Sequence, residues 1–166
     1  MKGILVFEGT FPHNCTGCRT CELICSLTHA GAVNSTKSRI RVLKRDRFGF
    51  AYPVVCIQCA DPECAKVCPV GALTISTGVV VVDREICIGC GKCEAACPIG
   101  AIAVDPDLGA ATKCDLCGGS PRCVEWCPRG ILRLCDHRDS VPDFAPRELL
   151  DAEVARLREL EAGDAL

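Results

Sequence analysis

Sixteen of the seventeen cysteines fall into four groups that share one spacing plan. The first is Cys15-x2-Cys18-x2-Cys21-x3-Cys25, and the second is Cys56-x2-Cys59-x4-Cys64-x3-Cys68. The third is Cys87-x2-Cys90-x2-Cys93-x3-Cys97, and the fourth is Cys114-x2-Cys117-x5-Cys123-x3-Cys127. Each closes on an x3 step, and the last three run on into Pro69, Pro98 and Pro128. Thiolates so spaced could pair as disulfides, bind zinc or ligate iron. Disulfides belong to exported proteins. The run Ile4-Leu5-Val6-Phe7 has only four apolar residues before Glu8, too short for a signal peptide. Zinc sites use two separated C-x2-C knuckles and gain nothing from a third cysteine three residues on, or from a repeated Cys-Pro. A C-x2-C-x2-C loop instead wraps thiolates around three irons of a cubane, with backbone N–H groups facing the sulfurs. The sixteen ligands therefore point to four [4Fe-4S] clusters, and a zinc-built interaction module is the alternative of a different class.

A loop that supplies three ligands needs a fourth from elsewhere. In the two-cluster bacterial pattern the last cysteine of each group leaves its loop and ligates the other cluster. Groups then work in pairs, and four groups make two units. The elements that must position them are short. Ala51-Tyr52-Pro53-Val54-Val55, Ala72-Leu73-Thr74-Ile75, Val79-Val80-Val81-Val82 and Ala101-Ile102-Ala103-Val104 read as strands around the two inner groups, with Ser76-Thr77-Gly78 as a turn. Gly71, Gly100 and Gly130 each stand three residues past the last cysteine of a group, where a tight turn must swing the chain away. The inner groups complete one another, so the first and fourth groups pair around them. Strands at Ile4-Leu5-Val6-Phe7, Arg39-Ile40-Arg41-Val42-Leu43 and Ile131-Leu132-Arg133-Leu134 would edge that outer unit.

The expected fold class is α+β, two nested dicluster ferredoxin folds with a C-terminal amphipathic helix. The expected inner unit covers about 51–105, the outer unit about 1–50 plus 106–140, and a tail 141–166. In the tail, Leu149, Leu150, Val154, Leu157 and Leu160 recur at helical spacing after Pro146. Such a helix either packs back on its own domain or docks a partner or a second copy. Elements this short bury little apolar surface, so ligation should supply much of the folding free energy and leave the apoprotein largely disordered.

The 166 residues carry 19 basic and 21 acidic side chains, which removes a bulk electrostatic case for nucleic acid or an anionic membrane. No stretch approaches the roughly 20 apolar residues that cross a bilayer, and a cytoplasmic location is expected. Four clusters, each adding about −2, would bring the formal charge of −2 to roughly −10 and favour a basic partner surface.

Several motifs resemble the four-cluster ferredoxin-like electron-transfer subunits of molybdenum and tungsten oxidoreductases. Cys56-Ile57-Gln58-Cys59 with Pro62, Cys64, Val67, Cys68, Pro69, Gly71, Ala72 and Leu73 is similar to that family's second motif. Lys113-Cys114-Asp115-Leu116-Cys117 with Pro121, Cys123, Val124, Glu125, Cys127 and Pro128 is similar to its fourth. Cys15-Thr16-Gly17-Cys18-Arg19-Thr20-Cys21-Glu22 and Ser38-Arg39-Ile40-Arg41-Val42 resemble most the small subunit of tungsten aldehyde oxidoreductases.

The resemblance implies swapped ligands. Cys15, Cys18 and Cys21 would take Cys127, and Cys114, Cys117 and Cys123 would take Cys25. Cys56, Cys59 and Cys64 would take Cys97, and Cys87, Cys90 and Cys93 would take Cys68. The clusters would lie in a row, in a subunit without catalytic residues. It would relay electrons between a pterin-bearing tungsten or molybdenum subunit that oxidises an aldehyde and a further carrier, such as a flavin- or NAD-linked subunit. The alternative within electron transfer is a soluble hydrogenase or formate dehydrogenase complex. Cys25 departs from the pattern, being followed by Ser26 rather than Pro, which predicts a helix through about His29.

Cys135 stands outside the groups and reads as a small core hydrophobe rather than a ligand. Lys37, Arg39, Arg41, Lys44, Arg45 and Arg47 form the densest basic stretch, either a solvated strand face or cations that offset cluster charge. Trp126 reads as part of an apolar shell around a cluster. None of His13, His29 and His137 is expected to sit beside a cysteine nucleophile or in a zincin-like pair, and no G-x-G-x-x-G or P-loop is present.

Overall fold

The computed structural model describes residues 3–7, 15–45 and 50–136. The expected helix of the tail 141–166 and the side chain of Cys135 lie outside the described residues. Among the described residues eight strands and four α-helices follow one another: β1 (Gly3–Phe7), α1 (Thr20–Ala30), β2 (Arg41–Arg45), β3 (Phe50–Val54) and α2 (Glu63–Lys66). After these come β4 (Leu73–Ser76), β5 (Val79–Val82), α3 (Lys92–Ala96), β6 (Ile102–Asp105), β7 (Ala110–Lys113), α4 (Arg122–Glu125) and β8 (Leu132–Asp136). The result is a small mixed helix–strand architecture.

The strands form antiparallel pairs rather than one sheet: β1 with β8, β2 with β3, β4 with β5 and β6 with β7. The first and last strands meet in the register Gly3↔Asp136 to Phe7↔Leu132, which brings the ends of the described chain together. Between them, β4 and β5 form a hairpin across Thr77 and Gly78, which both have positive φ as the turn requires. Helix α1, which carries Cys21 and Cys25, packs on α4, which carries Cys123. Likewise α2, with Cys64, packs on α3, with Cys93. Packing thus couples the first cysteine group to the fourth and the second to the third.

Strand β7 is not among the expected elements. Ala110-Ala111-Thr112-Lys113 has little intrinsic strand preference, and its conformation comes from pairing with β6 in the register Ile102↔Lys113. That hairpin runs past residue 105, where the expected inner unit ends.

The helices follow the residue after each closing cysteine. Pro69, Pro98 and Pro128 disfavour helix at the residue before them, so α2, α3 and α4 span only four or five residues. Ser26 lets α1 run for eleven. Its hydroxyl donates to the Leu23 carbonyl at 2.9 Å and accepts the Asn34 amide at 3.0 Å, fixing the turn that follows the helix. Gly71, Gly100 and Gly130 have φ of 66°, 67° and 60°, the expected left-handed turns. Their amides return to the carbonyls of Cys68, Cys97 and Cys127.

Two small cores result. One gathers Ile40, Val42, Ala51, Val54, Val55, Ile99, Ala101, Leu116, Ile131 and Leu132 with buried cysteines, and the other gathers Leu73, Val80, Ile102 and Ala111 around Cys93.

Candidate metal centres

Three apolar cavities are each lined by four cysteines. The first holds Cys15, Cys18, Cys21 and Cys127, and is termed site I. Another, site III, holds Cys56, Cys59, Cys64 and Cys97. A third, site IV, holds Cys68, Cys87, Cys90 and Cys93. The remaining four, Cys25, Cys114, Cys117 and Cys123, are termed site II: Cys25, Cys114 and Cys123 share the first core, and Cys25 lies within electrostatic reach of Cys117. Each site takes three cysteines from one group and one from the group its helix packs against.

Neighbouring sites are coupled in pairs. Cys21 of site I lies within electrostatic reach of Cys123 of site II. Cys114 of site II is likewise coupled to Cys56 of site III. Cys64 and Cys97 of site III share the second core with Cys68 and Cys87 of site IV. The ends differ from the middle: Cys18 of site I and Cys90 of site IV are exposed, while sites II and III contain no exposed cysteine.

Burial sets the chemistry of the thiols. It pushes Cys21 and Cys123 each up to about 12 and Cys64 to about 11, neighbouring thiols adding to the effect. Cys114 is raised further by burial. Cys18 is lowered by the hydroxyl and amide of Thr20. Cys68 is lowered too: burial opposes ionisation, but amides of Val70, Ala72, Leu73 and Gly71 outweigh it. Thiols held this way ionise together only around a group of positive charge.

Backbone amides already face the sulfurs: Ala72 to Cys68 at 3.2 Å, and Ala101 to Cys97, Ala111 to Cys87, Leu116 to Cys114 and Arg39 to Cys25, each at 3.4 Å. Amide donors of this kind tune a thiolate-ligated cluster. Spacing separates iron–sulfur from zinc. Tetrahedral zinc with Zn–S of about 2.3 Å draws its sulfurs to about 3.8 Å of one another. Among the described residues, the one triad of ligand atoms mutually within 4.8 Å is His29, Asp115 and Cys117, so no cysteine set has zinc spacing. The donor sets fit a larger thiolate-bound group such as a [4Fe-4S] cubane.

Several residues have surroundings that spacing does not reveal. His29 Nε2 lies 3.4 Å from Cys117 Sγ and 3.5 Å from Asp115 Oδ1, so one histidine does adjoin a cysteine in space. Burial, and then Arg39, hold its imidazole below the usual range. A signal exists in the sequence, since His29 follows Cys25 by one helical turn.

Much of the basic stretch is paired within the protein, and Arg39 also acts favourably on ionised Cys117. Lys37 bonds Asp105 at 2.8 Å and also Asp107, Arg39 pairs with Asp115, and Arg41 donates to the Gly100 carbonyl. These cations strap the segment before β2 to the third and fourth groups. Arg45 and Arg47 lie outside the described side chains. Trp126 corrects another expectation: it is 54 % exposed at the end of α4 and shields little. Gln58 and Lys113, which the sequence marks only as members of motifs, are fully or almost fully buried.

Cavities lined by paired cysteine groups define an iron–sulfur class of protein. Residues 48–137 match the model of a 4Fe-4S dicluster domain, and residues 12–31 match a 4Fe-4S binding domain. The chain belongs to the 4Fe-4S dicluster family.

It is 46 % identical over 118 residues to the aliphatic sulfonate oxidoreductase polyferredoxin-like subunit of Pyrococcus furiosus, covering 70 % of this chain and 68 % of that one. It is 38 % identical over 152 residues to a component of the anaerobic dimethyl sulfoxide reductase of Haemophilus influenzae, with 80 % and 69 % covered. The NADH-dependent phenylglyoxylate dehydrogenase subunit beta of Aromatoleum evansii is 38 % identical over 74 % of this chain, which spans only 28 % of that protein. Among the described residues no helix is long and apolar enough to cross a membrane.

Proposed function

We propose that this chain is a non-catalytic electron-transfer subunit that holds four [4Fe-4S] clusters, one at each of sites I to IV, inside an oxidoreductase complex. The observation that carries the reading is that the cysteines gather in sets of four around apolar cavities, with an exposed sulfur at sites I and IV and none at sites II and III. Each bound cluster supplies a one-electron couple. The chain contributes ligands, spacing and shielding: β-hairpins and short helices fix the sites, and the apolar cavity walls keep water from the sulfurs. Electrons enter near Cys18 and leave near Cys90, or the reverse. The two helix pairs support a nested arrangement in which the second and third groups form an inner unit and the first and fourth enclose it.

The partner we favour is a tungsten or molybdenum pterin subunit that oxidises an aldehyde-like substrate, with a flavin- or NAD-linked subunit or a carrier at the other end. Support comes from the motif resemblance and from relatives named as parts of an aliphatic sulfonate oxidoreductase and a dimethyl sulfoxide reductase. The complex is assigned to the cytoplasm.

Anaerobic purification tests both levels. About sixteen irons and as much acid-labile sulfide per polypeptide are expected for four cubanes. Stoichiometric zinc in a colourless sample would replace the reading with a structural zinc module. Copurification with a large tungsten or molybdenum protein is the expected result for the partner. A nickel–iron subunit in its place would move the protein to a hydrogenase complex.

A further inference from the structure

Lys113 is a buried cation with no carboxylate paired to it among the described residues. Its side chain closes β7 immediately before Cys114, and the residue is 4 % exposed. Nζ donates to the Val80 carbonyl at 2.6 Å, the Cys114 carbonyl at 2.9 Å and Gln58 Oε1 at 3.1 Å. Those three acceptors satisfy an ammonium group's three N–H donors. Among the described residues no carboxylate forms an ion pair with it. Hydrogen bonds to neutral oxygens do not cancel a charge, and an unbalanced charge in a protein interior is costly. Something anionic must lie within reach.

The nearest candidates are sulfurs. Lys113 lines the site III cavity together with Cys56, Cys59, Cys64 and Cys97. Its charge acts favourably on ionised Cys59 and Cys64 of that site and on Cys114 of site II. Gln58 holds the junction. Its Nε2 donates to the Cys114 carbonyl at 2.8 Å, and its Oε1 accepts from Val80 N at 3.1 Å as well as from Lys113. Gln58 has φ of +55°, a conformation that costs about 1–3 kcal/mol in a residue other than glycine. A strained, fully buried amide thus links the second and fourth cysteine loops and seats the ammonium between them.

Resting on the four-cluster reading, we propose that Lys113 is a positioning and tuning residue whose buried charge raises the reduction potential at site III, and to a lesser degree at site II, above that at the ends of the row. Reduction adds an electron to a group that is already anionic, so a fixed cation lining the site stabilises the reduced form more than the oxidised one. No comparable buried lysine or arginine lines site I or site IV among the described residues. The middle of the row therefore holds an electron more firmly than either end.

The test is a redox titration of the anaerobically purified, iron-loaded protein followed by electron paramagnetic resonance, for the native protein, Lys113→Met and Lys113→Arg. With iron content unchanged, Lys113→Met should lower at least one potential by the equivalent of tenfold or more in the reduction equilibrium, about 59 mV for a one-electron couple. Lys113→Arg should restore most of the shift. If Lys113→Met does not take up iron, Lys113→Gln, which keeps a polar end without the charge, takes its place with the same expected shift. Potentials that all stay within twofold of native in an iron-replete neutral variant would overturn the proposal. So would iron uptake by neither neutral variant, which would mark Lys113 as a folding residue only. Absence of iron from the native protein would instead sink the four-cluster reading itself.

Discussion

The middle of the row and its ends are built from the same ligand pattern yet differ in how they treat sulfur. At site II, Cys25, Cys114 and Cys123 are buried, and burial drives Cys123 up to about 12. At the ends, Cys18 and Cys90 reach solvent, and Cys18 is lowered by the hydroxyl and amide of Thr20. Sites I and IV each keep one sulfur open to solvent, whereas the sulfurs of sites II and III are all buried or half-buried. The contrast separates two tasks: a buried site retains its contents and fixes spacing, and an open one exchanges electrons with a partner.

The largest expected effect comes from emptying the middle. Cys114→Ser or Cys123→Ser leaves a buried site short of a strong ligand, and iron content should fall by clearly more than about a quarter, with loss of cooperative unfolding by circular dichroism. Cys90→Ser at the open end should leave the other three sites loaded. Equal losses from both substitutions would erase the distinction between middle and end.

A backbone change tests how the two are joined. Ser26→Pro would remove an α1 amide and clash within the helix that carries both Cys21 and Cys25, costing about 3 kcal/mol. Sites I and II should then lose iron together. Ser26→Ala removes only the hydroxyl bridge between Leu23 and Asn34 and should cost about 1 kcal/mol in thermal or denaturant unfolding of the holo protein.

Gly89 probes the open end. It has φ of +63°, and an added Cβ would meet the Gly109 carbonyl oxygen at 2.4 Å. Gly89→Ala should therefore distort the Cys87–Cys90 loop at a cost of about 1–3 kcal/mol and release iron from site IV first. Chelator-release kinetics with one fast phase of about a quarter of the iron would show it.

The smallest effect is expected at the strap. Lys37→Ala removes contacts to Asp105 and Asp107 that are partly open to solvent, so thermal unfolding of the holo protein should shift only slightly, with iron content unchanged. A larger shift would mean that the strap, rather than the cysteine loops, holds the two halves together.

Much of this is legible in the residues. Cysteine spacing marks the sixteen candidate ligands, and the β-branched run Val79–Val82 is strand β5 as expected. Ser26 in place of proline foretells the longer α1, because proline alone shortens the other three helices. Strand β7 is hidden from a linear reading because two alanines, a threonine and a lysine carry no strand signal until β6 lies beside them. Trp126 misleads because its residue type says nothing about which way the end of α4 faces.

Local chemistry therefore determined which side chains can bind metal, where the chain turns and how far each helix runs, since these depend on neighbours within a few residues. Only the tertiary structure decided which sulfurs face solvent, and that Lys113 and Gln58 lie buried where the second and fourth loops meet. Burial and electrostatic reach are properties of groups dozens of residues apart, such as Gln58 and Cys114, and no linear spacing records them.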